Sequence, residues 1–310
     1  MNGYIANTDA GWHAILLAQQ RREGAVREAN FWKPSDRPFG VLRPGEPMLF
    51  RLKAPHNAIG GVGFFQRFSA LPVWLAWETF GRANGVQDRH EMEQRLLAIR
   101  ARNKVGAVGE PQIGCVLLSD LLLFEPGDWV RLPDDWKPTT VSGKGYDLAS
   151  GEGARVWASC QERLARAAAP LLVADEQRYG EPIAARSRLG QGGFRVAVID
   201  AYDRACAVTG ERSLPALEAA HIRPYADDGS HDVRNGLLLR SDVHRLYDRG
   251  YVTVTPDHRF RVSPRLRADY ANGKTYYALD GRRIATPKRS ECMPSNEALA
   301  WHEERCFLRA

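Results

Sequence analysis

Hydrophobic and polar positions form short blocks over the first 150 residues. Met48–Pro55 is apolar and is closed by a proline, which predicts a strand, and Ile59–Phe68 contains three glycines, which favours a kinked strand or a sheet edge. Leu71–Gly85 has helical spacing and stops at glycine. Ile113–Phe124 is a further apolar block that predicts one strand or two. Together these blocks predict a compact, mostly β domain with flanking helices.

The second half of the chain begins with helical periodicity. Val156–Gly180 carries apolar residues three to four apart, and we interpret residues 151–185 as a connecting helix. Proline and glycines mark the next boundary, and a helix is predicted over Phe194–Gly210. The chain is therefore predicted to have an α+β fold, with a β domain over residues 1–150 and a second domain over residues 186–310.

Within the second domain, Leu214–Val254 predicts the order strand, polar loop, strand and short helix. The first strand ends at His221. The short helix has Ser241 as its expected N-cap and Gly250 just past its end.

Composition sets limits on the class of protein. The 310 residues allow two ordinary domains, and no apolar run approaches the roughly 20 residues that cross a membrane. The N-terminus has no signal-peptide pattern, and the five cysteines are scattered without a CxxC pair. We therefore expect a cytoplasmic protein with neither a disulfide framework nor a cysteine-based zinc site.

The positive charge is concentrated in the second domain. The net charge is +6, and residues 186–310 hold 21 Lys and Arg against 16 Asp and Glu. Most of this excess is arginine, which binds phosphate through two hydrogen bonds at once. A solvated basic surface is the alternative interpretation.

Two residues of the predicted short helix have the chemistry of metal ligands. His244 and Asp248 are four residues apart and so share a helix face. An imidazole and a carboxylate in this arrangement suit one divalent ion, Mg²⁺, Mn²⁺, Ni²⁺ or Zn²⁺. His221 can point at the same place, where a neutral imidazole takes a proton from the water that attacks phosphorus.

The same stretch resembles the HNH, or ββα-metal, endonuclease family, in its restriction-type subgroup. The segments that carry the resemblance are AAHIRP, RNGLLLRSDVH and YDRG, with RLGQGGFR and CAVTG before them, and it covers roughly residues 186–255. The resemblance implies that His221 is the general base and that Asn235 holds the loop and fixes the ring of His221. It also implies that His244 binds the metal, that Asp248 supplies a second ligand, and that the substrate is double-stranded DNA.

One position departs from the family pattern. Many members carry Asp or His immediately before the base as a metal ligand, whereas this chain has Ala220. Glu218 lies two residues earlier on the same face of the strand and can compensate. Asp242 either braces the helix or holds a metal-bound water.

Several basic side chains near the motif are candidates for DNA contact. A cation beside the scissile phosphate stabilises the charge of the transition state. We expect phosphate contacts from Arg223, Arg240 and Arg245, and we interpret His231 as a loop histidine.

The front domain resembles the PUA/EVE/SRA-like superfamily, in which a small β-barrel holds a flipped, modified base. The pattern PGEPMLFRLK followed by IGGVGFF carries the resemblance. A flipped base needs aromatic faces and polar contacts to its edge. Phe31, Trp32 and Trp74 can supply faces and Asn57 a polar contact, while burial of the aromatics in the core is the alternative.

The domain pairing predicts a modification-dependent restriction enzyme of bacterial defence. One alternative is a nonspecific or toxin-like HNH nuclease whose front domain senses another signal. Another is a DNA-binding protein whose metal site is degenerate because of Ala220. A homodimer would be needed for coordinated cuts in both strands.

Overall fold

The computed structural model describes residues 1–102, 111–174, 190–224, 227 and 229–309, apart from the side chains of residues 102 and 168–174. The chain divides into two compact units, Met1–Ser187 and Arg188–Ala310. No helix in the described part is long and apolar enough to cross a membrane.

The N-terminal unit is built on one seven-stranded sheet. Six of its strands follow the order β2-β5-β4-β3-β1-β7, and the seventh, β6, pairs with β4. All neighbours are antiparallel except β1 and β3. Its strands are β1 (Asn2–Thr8), β2 (Val26–Lys33), β3 (Pro47–Leu52), β4 (Ala58–Pro72), β5 (Gln112–Leu123), β6 (Val130–Arg131) and β7 (Gly143–Asp147), and its helices are α1 (Ala10–Glu23), α2 (Val73–Phe80), α3 (Arg89–Arg102) and α4 (Gly151–Ala174).

The predicted closed barrel is not confirmed. A barrel requires its first and last strands to pair. Among the described residues β2 pairs only with β5 and β7 only with β1, so the hydrogen-bonded sheet stays open between these two strands. The mixed α+β character of the unit is confirmed.

Strand β4 organises this sheet. It is 15 residues long, pairs with β3, β5 and β6, and contains two register shifts against β5. Of the two alternatives predicted for this segment, a glycine-kinked strand and a sheet edge, the structure shows the first. A Cβ at Gly61 would lie 2.6 Å from the backbone oxygen of Leu122. The glycine therefore permits a close approach between central strands.

The first turns of α4 belong to the core of the N-terminal unit. Val156, Trp157 and Cys160 pack in one buried cluster with Ile5 and Leu49. This part of the predicted connecting helix is thus anchored on the sheet. The remainder of the predicted linker, residues 175–185, lies outside the described residues.

The C-terminal unit contains two two-stranded antiparallel sheets. One pairs β8 (Leu217–His221) with β9 (Gly236–Arg240), and the other pairs β10 (Val252–Val254) with β11 (Phe260–Val262). The helices are α5 (Gln191–Ala201), α6 (Ser241–Asp248), α7 (Arg265–Tyr270), α8 (Lys274–Tyr277) and α9 (Asn296–Arg305).

The order strand, loop, strand and short helix is confirmed by β8, β9 and α6. Two boundaries differ from prediction. Helix α5 ends at Ala201 rather than near Gly210, because Asp203 and Arg204 adopt positive φ angles of 51° and 58°. The extended residue before α6 is Arg240 rather than Ser241, and it makes no side-chain cap.

Candidate active site

The two strands β8 and β9 and the helix α6 bring the predicted base and the two predicted metal ligands to one cavity. His221 is the last residue of β8 and pairs with Gly236 of β9, and α6 follows β9 directly. The cavity has a volume of about 480 Å³. Its lining includes His221, Glu218, His244, Asp248, Phe194, Tyr247 and His302.

The ring of His221 is held on one face and at one nitrogen. Phe194 from α5 stacks on it with 4.0 Å between ring centroids and 12° between planes. Its Nε2 lies 3.2 Å from Nδ1 of His231. Burial, followed by the neighbouring His231 and His244, lowers the pKa of His221 to about 4, against an opposing effect of Asp248. His221 is therefore neutral near pH 7, as a proton acceptor must be.

The imidazole of His244 lies between two carboxylates. Its Nδ1 is 2.6 Å from Oε2 of Glu218, and its Nε2 is 3.4 Å from Oδ2 of Asp248. Burial acts to lower the pKa of His244, but the hydrogen bonds with Asp248 and Glu218 outweigh it, and the net shift is upward. The structure thus brings together His244 and Asp248, and it places Glu218 against the far nitrogen of the same ring.

These donors fit part of a divalent metal site. Imidazole nitrogen and carboxylate oxygen bind such ions at about 2.0–2.2 Å, and the separation of His244 Nε2 and Asp248 Oδ2 allows both to reach one ion. A carboxylate on the other nitrogen is a common way to orient a metal-binding histidine. Within the described residues no cluster of three or more His, Cys, Asp or Glu is arranged around a single point. The described residues would accordingly supply two ligands, His244 and Asp248.

Asn235 acts on the loop rather than on the ring of His221. Its Oδ1 accepts a hydrogen bond from the Arg223 amide, and its Nδ2 donates to the carbonyls of Arg223 and Ser230, each at 2.9 Å. The described hydrogen bonds of the Asn235 side chain go to the backbone at the two ends of the loop and not to the His221 ring, so a role of Asn235 in fixing that ring stays a prediction. Phe194 and His231 make the ring contacts.

The three predicted phosphate contacts have different surroundings. Arg240 forms two hydrogen bonds with Asp242, at 2.6 and 2.8 Å, and Asp242 also accepts from Tyr276. The pKa of Asp242 falls to about 2, chiefly through Arg240. Of the two roles left open for Asp242, the structure favours bracing.

The other two arginines lie closer to solvent or to an aromatic face. The guanidinium of Arg223 lies 5.4 Å from the ring centroid of Trp301 on α9. Arg245 on α6 is exposed. Arg240 is therefore the least available of the three predicted phosphate contacts.

Sequence reasoning missed two neighbours of His221. Phe194 lies on the predicted apolar stripe of α5, which indicated packing but not its partner. His231 lies in the loop between β8 and β9 and was interpreted as a loop residue. Both contacts depend on how separate segments fold onto one another, and the spacing of residues in the motif carries no signal for them.

In the N-terminal unit the four predicted base-reading residues do not share one pocket. Phe31 packs against the buried rings of Trp12 and Phe50. The indole of Trp32 donates to the carbonyl of Asn84 at 3.1 Å. Phe31 thus follows the core alternative. Trp74 is half-buried on α2, and Asn57 is exposed.

Asn57 lines a separate cleft of about 760 Å³. Arg51 is the centre of its polar network, with hydrogen bonds to Asn7 at 2.9 Å and to Asn57 at 2.8 Å. The Arg51 guanidinium also lies 5.5 Å from the ring centroid of Trp136. The lining includes Asn7, Arg51, Lys53, Asn57, Trp136 and Thr140. Neither Phe31, Trp32 nor Trp74 belongs to this lining.

The HNH endonuclease family model matches residues 206–255 of the chain. This match contains β8, β9 and α6, and it confirms the resemblance for this segment. No curated protein sequence matches the chain.

Among solved structures, an ASCH protein from Zymomonas mobilis is 12% identical, with 51% of this chain and 94% of that chain covered and a TM-score of 0.33. A structure described as the modification-dependent TagI restriction endonuclease is 12% identical, with 84% of this chain and 62% of that chain covered and a TM-score of 0.28. At these scores neither likeness supports a structural argument.

Proposed function

We propose that the protein is a metal-dependent HNH endonuclease that hydrolyses phosphodiester bonds in double-stranded DNA. One observation carries the proposal: the cavity that is lined by the neutral His221 is also lined by the His244–Asp248 pair. A proton acceptor and two donors for a divalent ion are the groups that hydrolysis of a phosphodiester needs.

In this proposal His221 accepts a proton from the attacking water, and Phe194 keeps the ring in place by stacking. His244 and Asp248 would hold one Mg²⁺, Mn²⁺, Ni²⁺ or Zn²⁺ ion. Such an ion, when bound, stabilises the negative charge on the phosphate and on the leaving oxygen. The exposed Arg245 is available for a phosphate beside the site.

The test is cleavage of supercoiled plasmid DNA with each of the four metals. We expect His221→Ala to lower kcat by about 10²–10⁴-fold, the usual range for loss of general base catalysis. His90→Ala removes an exposed histidine of the N-terminal unit and is the matched control. A wild-type protein that binds DNA but cuts it with none of the metals would contradict the proposal and favour the degenerate-site alternative.

We further propose that the N-terminal unit makes cleavage depend on a modified base, as in a restriction enzyme of bacterial defence. What supports this is the cleft around Arg51, Asn57 and Trp136, which combines hydrogen-bonding groups with an aromatic ring in a unit separate from the cavity. A flipped base is recognised by such groups. We therefore expect the modified base to bind in this cleft rather than at Phe31 and Trp32.

Cleavage of matched plasmids with and without modified cytosine or adenine tests this second proposal. We expect preferential cutting of one modified form and loss of that preference in Asn57→Ala. Equal cutting of all forms by the wild type would support the nonspecific alternative instead.

Sedimentation of the protein with and without DNA tests the proposed homodimer.

A further inference from the structure

We propose that His231 is a positioning residue that selects the tautomer of His221 from which it acts as a base. The inference rests on the proposed nuclease function and extends it to a residue outside the cavity lining. His221 lines the cavity, whereas His231 does not belong to the lining and contacts the Nε2 atom of His221.

The contact between the two rings is specific in geometry. His221 Nε2 and His231 Nδ1 are 3.2 Å apart, and the ring planes are inclined by 58° with centroids 5.3 Å apart. Phe194 stacks on His221 and also lies 5.9 Å from the His231 ring, between centroids. The three rings therefore restrain one another.

Asn235 supports this arrangement from the loop. Its side-chain amide donates to the carbonyl of Ser230, the residue immediately before His231, at 2.9 Å. The same side chain bonds the backbone of Arg223, two residues after His221. Asn235 thus fixes the two chain segments that carry the two histidines, and it reaches His221 through His231.

A neutral imidazole carries one proton, on either nitrogen. If His221 Nε2 carries it, His221 donates to His231 Nδ1, and the lone pair of His221 Nδ1 stays free. If His231 Nδ1 carries the shared proton instead, His221 must hold its own proton on Nδ1 and has no lone pair left for water. Among the described residues no hydrogen bond engages His221 Nδ1. Only the first arrangement makes His221 a base, and it requires an acceptor at the position of His231 Nδ1.

The proton transfer then balances with water as the only co-reactant. The O–H bond of the attacking water breaks, its proton moves to His221 Nδ1, and the oxygen forms a bond to phosphorus while the bond to the leaving oxygen breaks. The leaving oxygen keeps the electron pair of that bond and takes a proton from solvent. The resulting imidazolium keeps its Nε2 proton, and this N–H group donates a hydrogen bond to His231 Nδ1.

Two substitutions of His231 separate this role from a structural one. His231→Leu removes the acceptor, whereas the Oδ1 atom of His231→Asn can occupy the position of Nδ1 and accept the same hydrogen bond. We expect His231→Leu to lower kcat by about 10–100-fold, the usual effect of losing a partner that orients a histidine. We expect KM for plasmid DNA to be unchanged and His231→Asn to recover most of the rate. Thermal unfolding of each full-length variant provides the check on folding.

A spectroscopic readout tests the tautomer without any cleavage. Long-range ¹H–¹⁵N spectra of the full chain with ¹⁵N-labelled histidine are expected to show the His221 proton on Nε2 in the wild type and in His231→Asn. In His231→Leu the proton is expected to redistribute to Nδ1. A wild-type His221 protonated on Nδ1 would overturn the proposal, as would a folded His231→Leu with the wild-type kcat. If even the wild type fails to cut DNA, the nuclease function fails, while the spectra still decide the tautomer.

Discussion

At the residue scale, Glu218 is the carboxylate of β8 that contacts the predicted metal ligand His244. Ala220 is fully buried and has no donor, whereas Glu218 approaches His244 from the same strand at 2.6 Å. We expect Glu218→Ala to weaken binding of Mn²⁺ by about 10–100-fold, because the His244 ring loses the group that orients it. Titration calorimetry of the metal with the full chain measures this directly.

A second carboxylate provides the comparison for this prediction. Glu304 is exposed on α9, and Glu304→Ala should leave the affinity for Mn²⁺ unchanged. Equal affinities for the wild type and Glu218→Ala would show that Glu218 neither orients His244 nor contributes to the metal site.

His302 is a buried residue of the cavity lining, and its titration is expected to affect stability. Its Nε2 atom lies 3.1 Å from the carbonyl oxygen of Tyr247, and its Nδ1 atom lies 2.9 Å from the hydroxyl of Thr253. Burial lowers the pKa of His302 to about 4. Above an unfolded pKa of about 6.5 both states are neutral. As the pH falls below that value only the unfolded chain takes up the proton, so stability is lost down to about pH 4. The shift corresponds to about 3 kcal/mol at most.

Urea unfolding at pH 7 and at pH 4.5 measures this effect in the wild type and in His302→Gln. The variant removes the titrating group, so its free energy of unfolding should fall less between the two pH values. An identical loss in both proteins would mean that other groups cause the acid sensitivity.

At the element scale, β9 and α5 meet where only a glycine fits. A Cβ on Gly236 would lie 2.3 Å from Cγ2 of Val198 and 3.0 Å from Cζ of Phe194. The backbone of Gly236 is extended, with φ −128°, so the obstacle to a larger residue is packing alone. We expect Gly236→Ala to destabilise the unit by about 1–3 kcal/mol, the usual cost of overpacking. It should also slow cleavage, because Phe194 must move away from His221.

Thermal unfolding and plasmid cleavage measure the two effects of Gly236→Ala. Gly127→Ala is the control, since an added Cβ there meets nothing within 4 Å. A variant at Gly236 that is destabilised but cuts at the wild-type rate would remove Phe194 from the account of catalysis.

The elements show which parts of the fold could be predicted from the sequence. The arrangement of β8, β9 and α6 was predictable, because apolar runs separated by turn residues determine it locally. The central position of β4 and the open sheet were not, since both depend on pairing between distant segments. The early end of α5 depends on positive φ angles at Asp203 and Arg204, residues whose types do not require them.

The same distinction applies to the site. His221, His244 and Asp248 were identified from spacing and from the ordered motif, and they line one cavity. His231 and Phe194 contact His221 only because a loop and α5 fold back onto β8. Among the predicted base-reading residues, the half-buried Phe31 packs against the core residues Trp12 and Phe50. The presence of an aromatic residue in the sequence does not distinguish packing in the core from contact with a flipped base.

At the scale of the whole molecule, each function is expected to reside in its own unit. Every residue that lines the cavity belongs to residues 188–310, from Gln191 to Cys306. We therefore expect residues 188–310, produced alone, to fold and to cut plasmid DNA without preference for modified bases. Circular dichroism and the plasmid assay measure both properties. An inactive fragment that is nevertheless folded would show that cleavage requires the N-terminal unit.

The contact between Arg223 and Trp301 has an optical consequence. Trp301 is the only tryptophan after residue 187, and the Arg223 guanidinium over its indole lies two residues past His221. In a fragment of residues 188–310, excitation at the red edge of tryptophan absorption would thus give emission from Trp301 alone. A phosphate that draws Arg223 from the indole would change the emission of Trp301. The unit therefore carries an intrinsic fluorescent probe with which the arrival of DNA can be timed separately from its cleavage.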